Sequence, residues 1–124
     1  MFIRALRYEK GGDMDVKFKV WVEKKGEVVL SNGKLNILKT IDQLGSIHKA
    51  AEQFGMSYRH AWGMVQKFEK RSGIKMLETQ IGGSDGGGAN LTTEGKAFLA
   101  KYEAFSKGLD KLIENKFSKA FSKG

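Results

Sequence analysis

A chain of 124 residues with 40% apolar content is enough for one domain with one core, and too short for a second globular unit. Lys and Arg outnumber Asp and Glu 22 to 14, a formal charge of +8 that favours a polyanionic partner such as nucleic acid or an anionic membrane surface. The absence of cysteine removes disulfides, zinc–thiolate sites and thiol nucleophiles, and with only two histidines no metal centre or other cofactor is expected.

Residues 1–15 show no clear period and include Gly11-Gly12-Asp13, so they read as an N-terminal arm or a loose first strand. The opening residues lack the apolar core of a secretory signal, and no apolar run reaches the ~20 residues that span a bilayer, so a cytoplasmic protein without a membrane partner is expected. Met14 offers an alternative start. A DNA-binding domain is expected over 16–92 and a terminal helix over 93–124.

Val16 to Glu23 alternates apolar and polar residues and is rich in β-branched and aromatic types, which predicts one half-buried strand. Lys24-Lys25-Gly26-Glu27 then turns the chain into a short partner strand, Val28-Val29-Leu30. From Gly33 the period changes. Leu35, Leu38, Ile41 and Leu44 recur at helical spacing, with Ser31 or Asn32 as the cap and Gly45 as the end.

Gly45 to Trp62 reads as the junction of two more helices, about 46–54 and 57–72, capped by Ser46 and Ser57. Ala50, Ala51 and Phe54 supply small and large packing positions, and Gly55 can take the positive φ of a tight turn. This is a helix-turn-helix pattern. Gly73 ends the second of these helices.

Lys75 to Ile81 and Ala89 to Leu91 read as two strands around a loop with five glycines between Gly82 and Gly88, the arrangement called a wing. Thr92 or Thr93 caps a last helix, expected to run to about 117, with Phe98, Tyr102, Phe105, Leu109, Leu112 and Phe117 along one stripe. At ~1.5 Å per residue that helix approaches 40 Å and overshoots a small domain. The excess apolar stripe suggests homodimerisation through Phe98, Tyr102, Phe105, Leu109 and Leu112. The competing reading folds the helix back onto its own strands.

The expected fold class is therefore mainly α with a small β component: a winged helix-turn-helix with a short N-terminal β-hairpin, a glycine-rich wing and a long C-terminal helix. At 100° per residue, Ala61, Val65, Phe68 and Ser72 share the core face of the 57–72 helix. Arg59, Gly63, Gln66 and Lys70 point the other way, flanked by His60 and Lys67. Arg can form a bidentate pair with guanine and Gln with adenine, and a glycine lets the backbone come close, so this face suits a major groove of duplex DNA. Lys67, Lys70, Arg71 and Lys75 match phosphates. Ser57 combines a helix cap with a hydroxyl at the positive helix end.

Tyr58 has two readings, a hydroxyl on a phosphate or a packed ring; His60 is a phosphate contact or a solvated side chain. Trp62 sits at the edge of the core face, and His48 receives no role. Charge supports the assignment: residues 57–75 carry Arg59, Lys67, Lys70, Arg71 and Lys75 against Glu69 alone, while 76–94 carry Glu78, Asp85 and Glu94 and no basic group. The lysines after Gly95 read as a solvated helix face.

Catalysis is not expected. The glycine loop fails as a nucleotide cradle, because no Lys-Ser or Lys-Thr pair follows it and G-x-G-x-x-G cannot be placed. A protein-interaction winged helix and a sequence-neutral architectural DNA binder remain the alternatives to a regulator.

These residues resemble the DNA-binding domain of the ModE family, molybdate-responsive bacterial and archaeal transcription regulators related to the LysR type. The resemblance covers about 33–105 and rests on Gly45-Ser46-Ile47 with Ala50-Ala51, on Met56-Ser57-Tyr58 through Ala61-Trp62, and on the glycine wing followed by Leu91-Thr92 and Gly95. It implies a dimeric winged helix-turn-helix on an inverted-repeat operator, with 57–72 as recognition helix and molybdenum-related genes as targets. Wing residues Gly83, Gly86 and Gly87 would then approach DNA through backbone N–H groups, since Ser84 and Asp85 stand where family wings often carry basic residues. Full-length family members also carry a molybdate-binding domain after this part, whereas this chain ends near the last helix.

Overall fold

The computed structural model describes residues 4–7, 14–80 and 88–122. Strands β1 (Arg4–Arg7) and β2 (Asp15–Phe18) pair antiparallel, with Arg4 opposite Phe18 and Arg7 opposite Asp15. Strands β3 (Trp21–Lys24) and β4 (Glu27–Ser31) form a second hairpin, Trp21 opposite Ser31 and Lys24 opposite Glu27, with an irregular step at Val22/Glu23. The single strand expected over 16–23 is thus broken into two that belong to different sheets. Alternation fixes which face each side chain takes but not which neighbour the backbone pairs with. The partner changes at Lys19-Val20, and the Val20 carbonyl accepts a hydrogen bond from the Tyr102 hydroxyl, 3.4 Å.

Ser31 ends β4 and caps α1 (Asn32–Leu44), its side chain accepting from the Lys34 N–H. Ser46 caps α2 (Ile47–Gln53) and Ser57 caps α3 (Tyr58–Ser72) in the same way. Between α2 and α3, Gly55 has φ of 68°, and the Met56 N–H reaches back to the Ala51 carbonyl at 2.9 Å. A side chain at that φ would be strained, which is why the turn falls on glycine.

Strands β5 (Leu77–Gln80) and β6 (Gly88–Leu91) pair antiparallel as the wing, Leu77 opposite Leu91. The wing is anchored from the α1 end. The Leu91 N–H donates to Asp42 Oδ1 at 2.8 Å and the Ala89 N–H to the Gly45 carbonyl at 3.0 Å. Gly83, Gly86 and Gly87 lie outside the described residues.

Thr92 caps α4 (Thr93–Phe121), whose 29 residues exceed the expected end at 117. At ~1.5 Å per residue it is about 43 Å long. Lys39 on α1 and Glu103 on α4 meet at 2.9 Å.

Leu30, Ile41, Val65, Phe68, Met76 and Leu77 are fully buried, so β4, α1, α3 and β5 share one core. Burial of a side chain such as Phe68 contributes about 1.5–3 kcal/mol. The first turns of α4 belong to that core too: Phe98 packs edge-on to Phe68 with centroids 5.6 Å apart, and Leu99 is buried. Tyr102, expected on a dimer surface, is only 4% exposed and packs within its own chain, because its hydroxyl reaches the β2–β3 junction. Further along, Phe105 and Leu112 are each 50% exposed, and Leu109 is half-buried. Among the described residues no helix is long and apolar enough to cross a membrane.

Candidate nucleic-acid interface

The outward face of α3 gathers exposed cations and an amide group at helical spacing. Ala61, Val65 and Phe68 face the core as the periodicity predicts, and Ser72 is half-buried, its Oγ accepting from the Ile74 N–H at 3.1 Å. Turning the helix by half a revolution brings out Arg59, Gln66 and Lys70, all exposed, with His60 and Lys67 beside them. Gly63 lies on the same face, half-buried, with open space where a Cβ would stand. Trp62 and Met64 are partly buried against the core cluster, which settles the Trp62 ring as packing.

The start of α3 is held from two sides. Ser57 Oγ accepts from the His60 N–H at 3.0 Å, leaving its hydroxyl proton available for an incoming acceptor. Tyr58 stacks on His48 of α2, with ring centroids 3.9 Å apart and planes 11° from parallel, yet remains 42% exposed. The Tyr58 ring thus packs on α2 while the side chain keeps its access to solvent. The histidine to which the sequence assigned no role is its support. No sequence signal marks that pair, because the nine residues between them fold around the Gly55 turn before the rings meet.

At the other end of α3, Lys67, Lys70 and Lys75 are exposed, as phosphate contacts require. Arg71 is not a free surface cation. Its Nη1 donates to the Val28 carbonyl at 3.0 Å and its Nε meets Glu27 at 3.1 Å, so it ties α3 to the β3–β4 hairpin. Lys34, near this end, is held below the ordinary lysine value of 10.5 by burial first, then by the positive charges of Arg71 and Lys67. Positive potential therefore extends from α3 to the start of α1.

Glu69, the single acid among these cations, is also structural. Its Oε2 accepts from the Met76 and Leu77 N–H groups at 2.8 and 3.2 Å, fixing the first strand of the wing against α3. The sequence signal for this role is the lone carboxylate in a basic run.

The family model described as bacterial regulatory helix-turn-helix protein, lysR family, matches residues 33–96, which span α1 to the first turn of α4. Over 82 residues the chain is 35% identical to the molybdenum-pterin-binding protein MopB of Rhodobacter capsulatus, covering 66% of this chain and 30% of that protein. Over 70 residues it is 39% identical to the transcriptional regulator ModE of Haemophilus influenzae, covering 56% of this chain and 28% of that protein. The chain thus spans about 30% of the length of these relatives. Among solved structures, the BenM DBD in its catB site 1 DNA complex matches with a TM-score of 0.53 at 19% identity, over 77% of this chain and 100% of that one. The same domain in its benA site 1 DNA complex gives 0.52 at 20% identity, over 73% and 97%. At such identities these structures establish the fold, a winged helix-turn-helix. With α2, α3 and the wing strands inside the matched span, the chain belongs to the bacterial regulatory helix-turn-helix proteins of the lysR family, and its helix-turn-helix domain is ModE-like.

Proposed function

We propose that the protein is a transcription regulator that binds duplex DNA as a homodimer, in the cytoplasm, with α3 in the major groove. The observation that carries this reading is the outward face of α3, where Arg59, His60, Gly63 and Gln66 stand clear of the core on a helix braced at both ends. In this reading those residues face the bases, while Ser57, Tyr58, Lys67, Lys70 and Lys75 meet phosphates and Gly83, Gly86 and Gly87 of the wing approach the flanking backbone. Arg71 serves by fixing α3 to the hairpin. The names of the relatives, transcriptional regulator ModE among them, support a regulator, and molybdenum-related genes are its proposed targets. The BenM complexes with DNA support duplex DNA as the partner of this fold.

Fluorescence anisotropy on a labelled operator duplex tests the reading. If a dimer neutralises ~8 phosphates, log affinity falls against log salt with a slope near −7. Arg59→Ala is expected to lose about 1–3 kcal/mol on operator while changing random duplex little. A slope near zero, with elution from heparin at low salt, would instead assign the surface to protein partners; no enriched half-site in a random pool would assign it to architectural binding.

A further inference from the structure

At the C-terminal end of α3 the chain builds a second cationic feature, which reaches from Lys67 and Lys70 across to the β3–β4 hairpin. Lys25 and Gly26 close the β3–β4 hairpin with φ of 53° and 81°, a two-residue turn that places Lys24 and Lys25 beside the helix. Between turn and helix lies a cleft of about 460 Å³ lined by Lys24, Lys25, Glu27, Lys67, Lys70 and Arg71. Five cations meet one carboxylate, and Arg71 already engages that carboxylate. The Val28 and Glu27 contacts use two of the five N–H donors of Arg71 and hold its guanidinium on the cleft wall. A fixed guanidinium among lysine ammonium groups in a concavity is the donor set that binds an oxygen-rich dianion. Lys34 is held below the ordinary lysine value first by burial and then by the positive charges of Arg71 and Lys67, two of the groups that line the cleft.

We propose that this cleft is a phosphate-binding site, occupied either by a backbone phosphate of DNA beyond the reach of the α3 reading face or by free phosphate. The first source rests on the DNA-binding function proposed above; the second does not. The hairpin is then part of the binding surface rather than a scaffold for α1.

The test uses the full chain and the double variant K24Q/K25N. Both side chains are exposed, and asparagine tolerates the positive φ at 25, so the core is undisturbed. In one arm, backbone amide shifts are followed by NMR as sodium phosphate is added, with sodium chloride at equal ionic strength as control. Phosphate-specific shifts are expected at 24–27 and 67–71, are lost in K24Q/K25N, and strengthen in E27Q, where the competing carboxylate is gone. In the other arm, the salt slope on duplex DNA is expected to fall by about 0.9 per lost phosphate contact in K24Q/K25N. Phosphate shifts with an unchanged DNA slope assign the site to a free anion. A reduced slope without phosphate shifts assigns it to the DNA backbone. Neither change, or shifts equal in wild type and variant, overturns the proposal, and a protein that binds no DNA leaves the phosphate arm to decide it.

Discussion

One carboxylate oxygen of Glu69 accepts both the Met76 and the Leu77 N–H, at 2.8 and 3.2 Å, so α3 carries the first strand of the wing on its own side chain. Met76 and Leu77 are buried, and the Met76 carbonyl in turn accepts the Thr92 N–H at 2.9 Å at the start of α4. Helix, wing and terminal helix are thereby coupled through one short segment.

Glu69→Ala removes the acceptor from two part-buried donors and is expected to destabilise the fold by about 2 kcal/mol, within the ~1–3 kcal/mol cost of an unsatisfied buried group. Glu69→Gln keeps one oxygen and should cost less than half as much. Urea midpoints of the two variants check the order, and equal midpoints for Ala and wild type would remove this coupling.

Gly95 stands in a tight place: a Cβ there would be 2.7 Å from Met76 Sδ, 2.8 Å from the Met76 carbonyl and 3.1 Å from Thr92 Oγ1. Met76 Sδ can shift, but the backbone carbonyl cannot without moving the wing. Gly95→Ala is therefore expected to destabilise by about 1–3 kcal/mol despite the better helix propensity of alanine. Thermal unfolding of this variant beside Gly108→Ala, where a Cβ meets open space, separates the clash from propensity.

Gly63 gives the opposite pattern. It is inside α3 with nothing near its missing Cβ, so Gly63→Ala is expected to stabilise the free protein by about 0.8–1 kcal/mol. If the α3 backbone approaches base edges at this point, the same methyl weakens operator binding by about tenfold, equivalent to ~1.4 kcal/mol. Stability and affinity measured on one preparation must move in opposite directions; a gain in both places Gly63 away from the DNA.

The helices were legible because caps and apolar spacing act locally: Ser31, Ser46 and Ser57 each accept an N–H three residues on, and Gly55 takes the turn. The exposed face of α3 was legible for the same reason, since periodicity alone separates Arg59 and Gln66 from Val65 and Phe68. What sequence could not resolve were contacts between elements distant along the chain. The partner change at Lys19-Val20, the His48–Tyr58 stack and the capture of Arg71 by Glu27 and Val28 depend on how the hairpin and α2 dock against their neighbours. A stripe on a helix looks alike whether its own chain or another covers it, so the sequence does not distinguish the buried Tyr102 from a dimer contact.

Beyond Tyr102 that stripe is covered only in part, Leu109 and Phe117 being half-buried. Phe105 and Leu112, each 50% exposed, are the side chains that a second copy would bury. The double substitution Phe105→Ser with Leu112→Asp is expected to give a folded monomer by analytical ultracentrifugation and to lower operator affinity by at least about tenfold, through loss of the second half-site. An unchanged sedimentation coefficient would move the dimer contact off α4.

Lys34 provides a test through pH. Burial, then Arg71 and Lys67, hold its folded pKa below 10.5, so the folded state binds this proton less tightly than the unfolded chain. At neutral pH the ammonium is charged in both states and its charge opposes folding. As pH rises through the depressed folded value, the folded protein releases the proton first, and stability gains until the unfolded value is passed. Lys34→Gln leaves the cap intact, because Ser31 Oγ accepts from the backbone N–H of residue 34. The variant is therefore expected to be modestly more stable than wild type at pH 7, the effect being limited by solvent screening of a half-exposed side chain. The advantage should shrink as pH approaches 10.5, and adding phosphate at pH 7 should narrow it as well if an anion in the hairpin cleft offsets the charges of Lys67 and Arg71. Melting curves of both proteins across this pH range check the sign, and an advantage that grows with pH would contradict it.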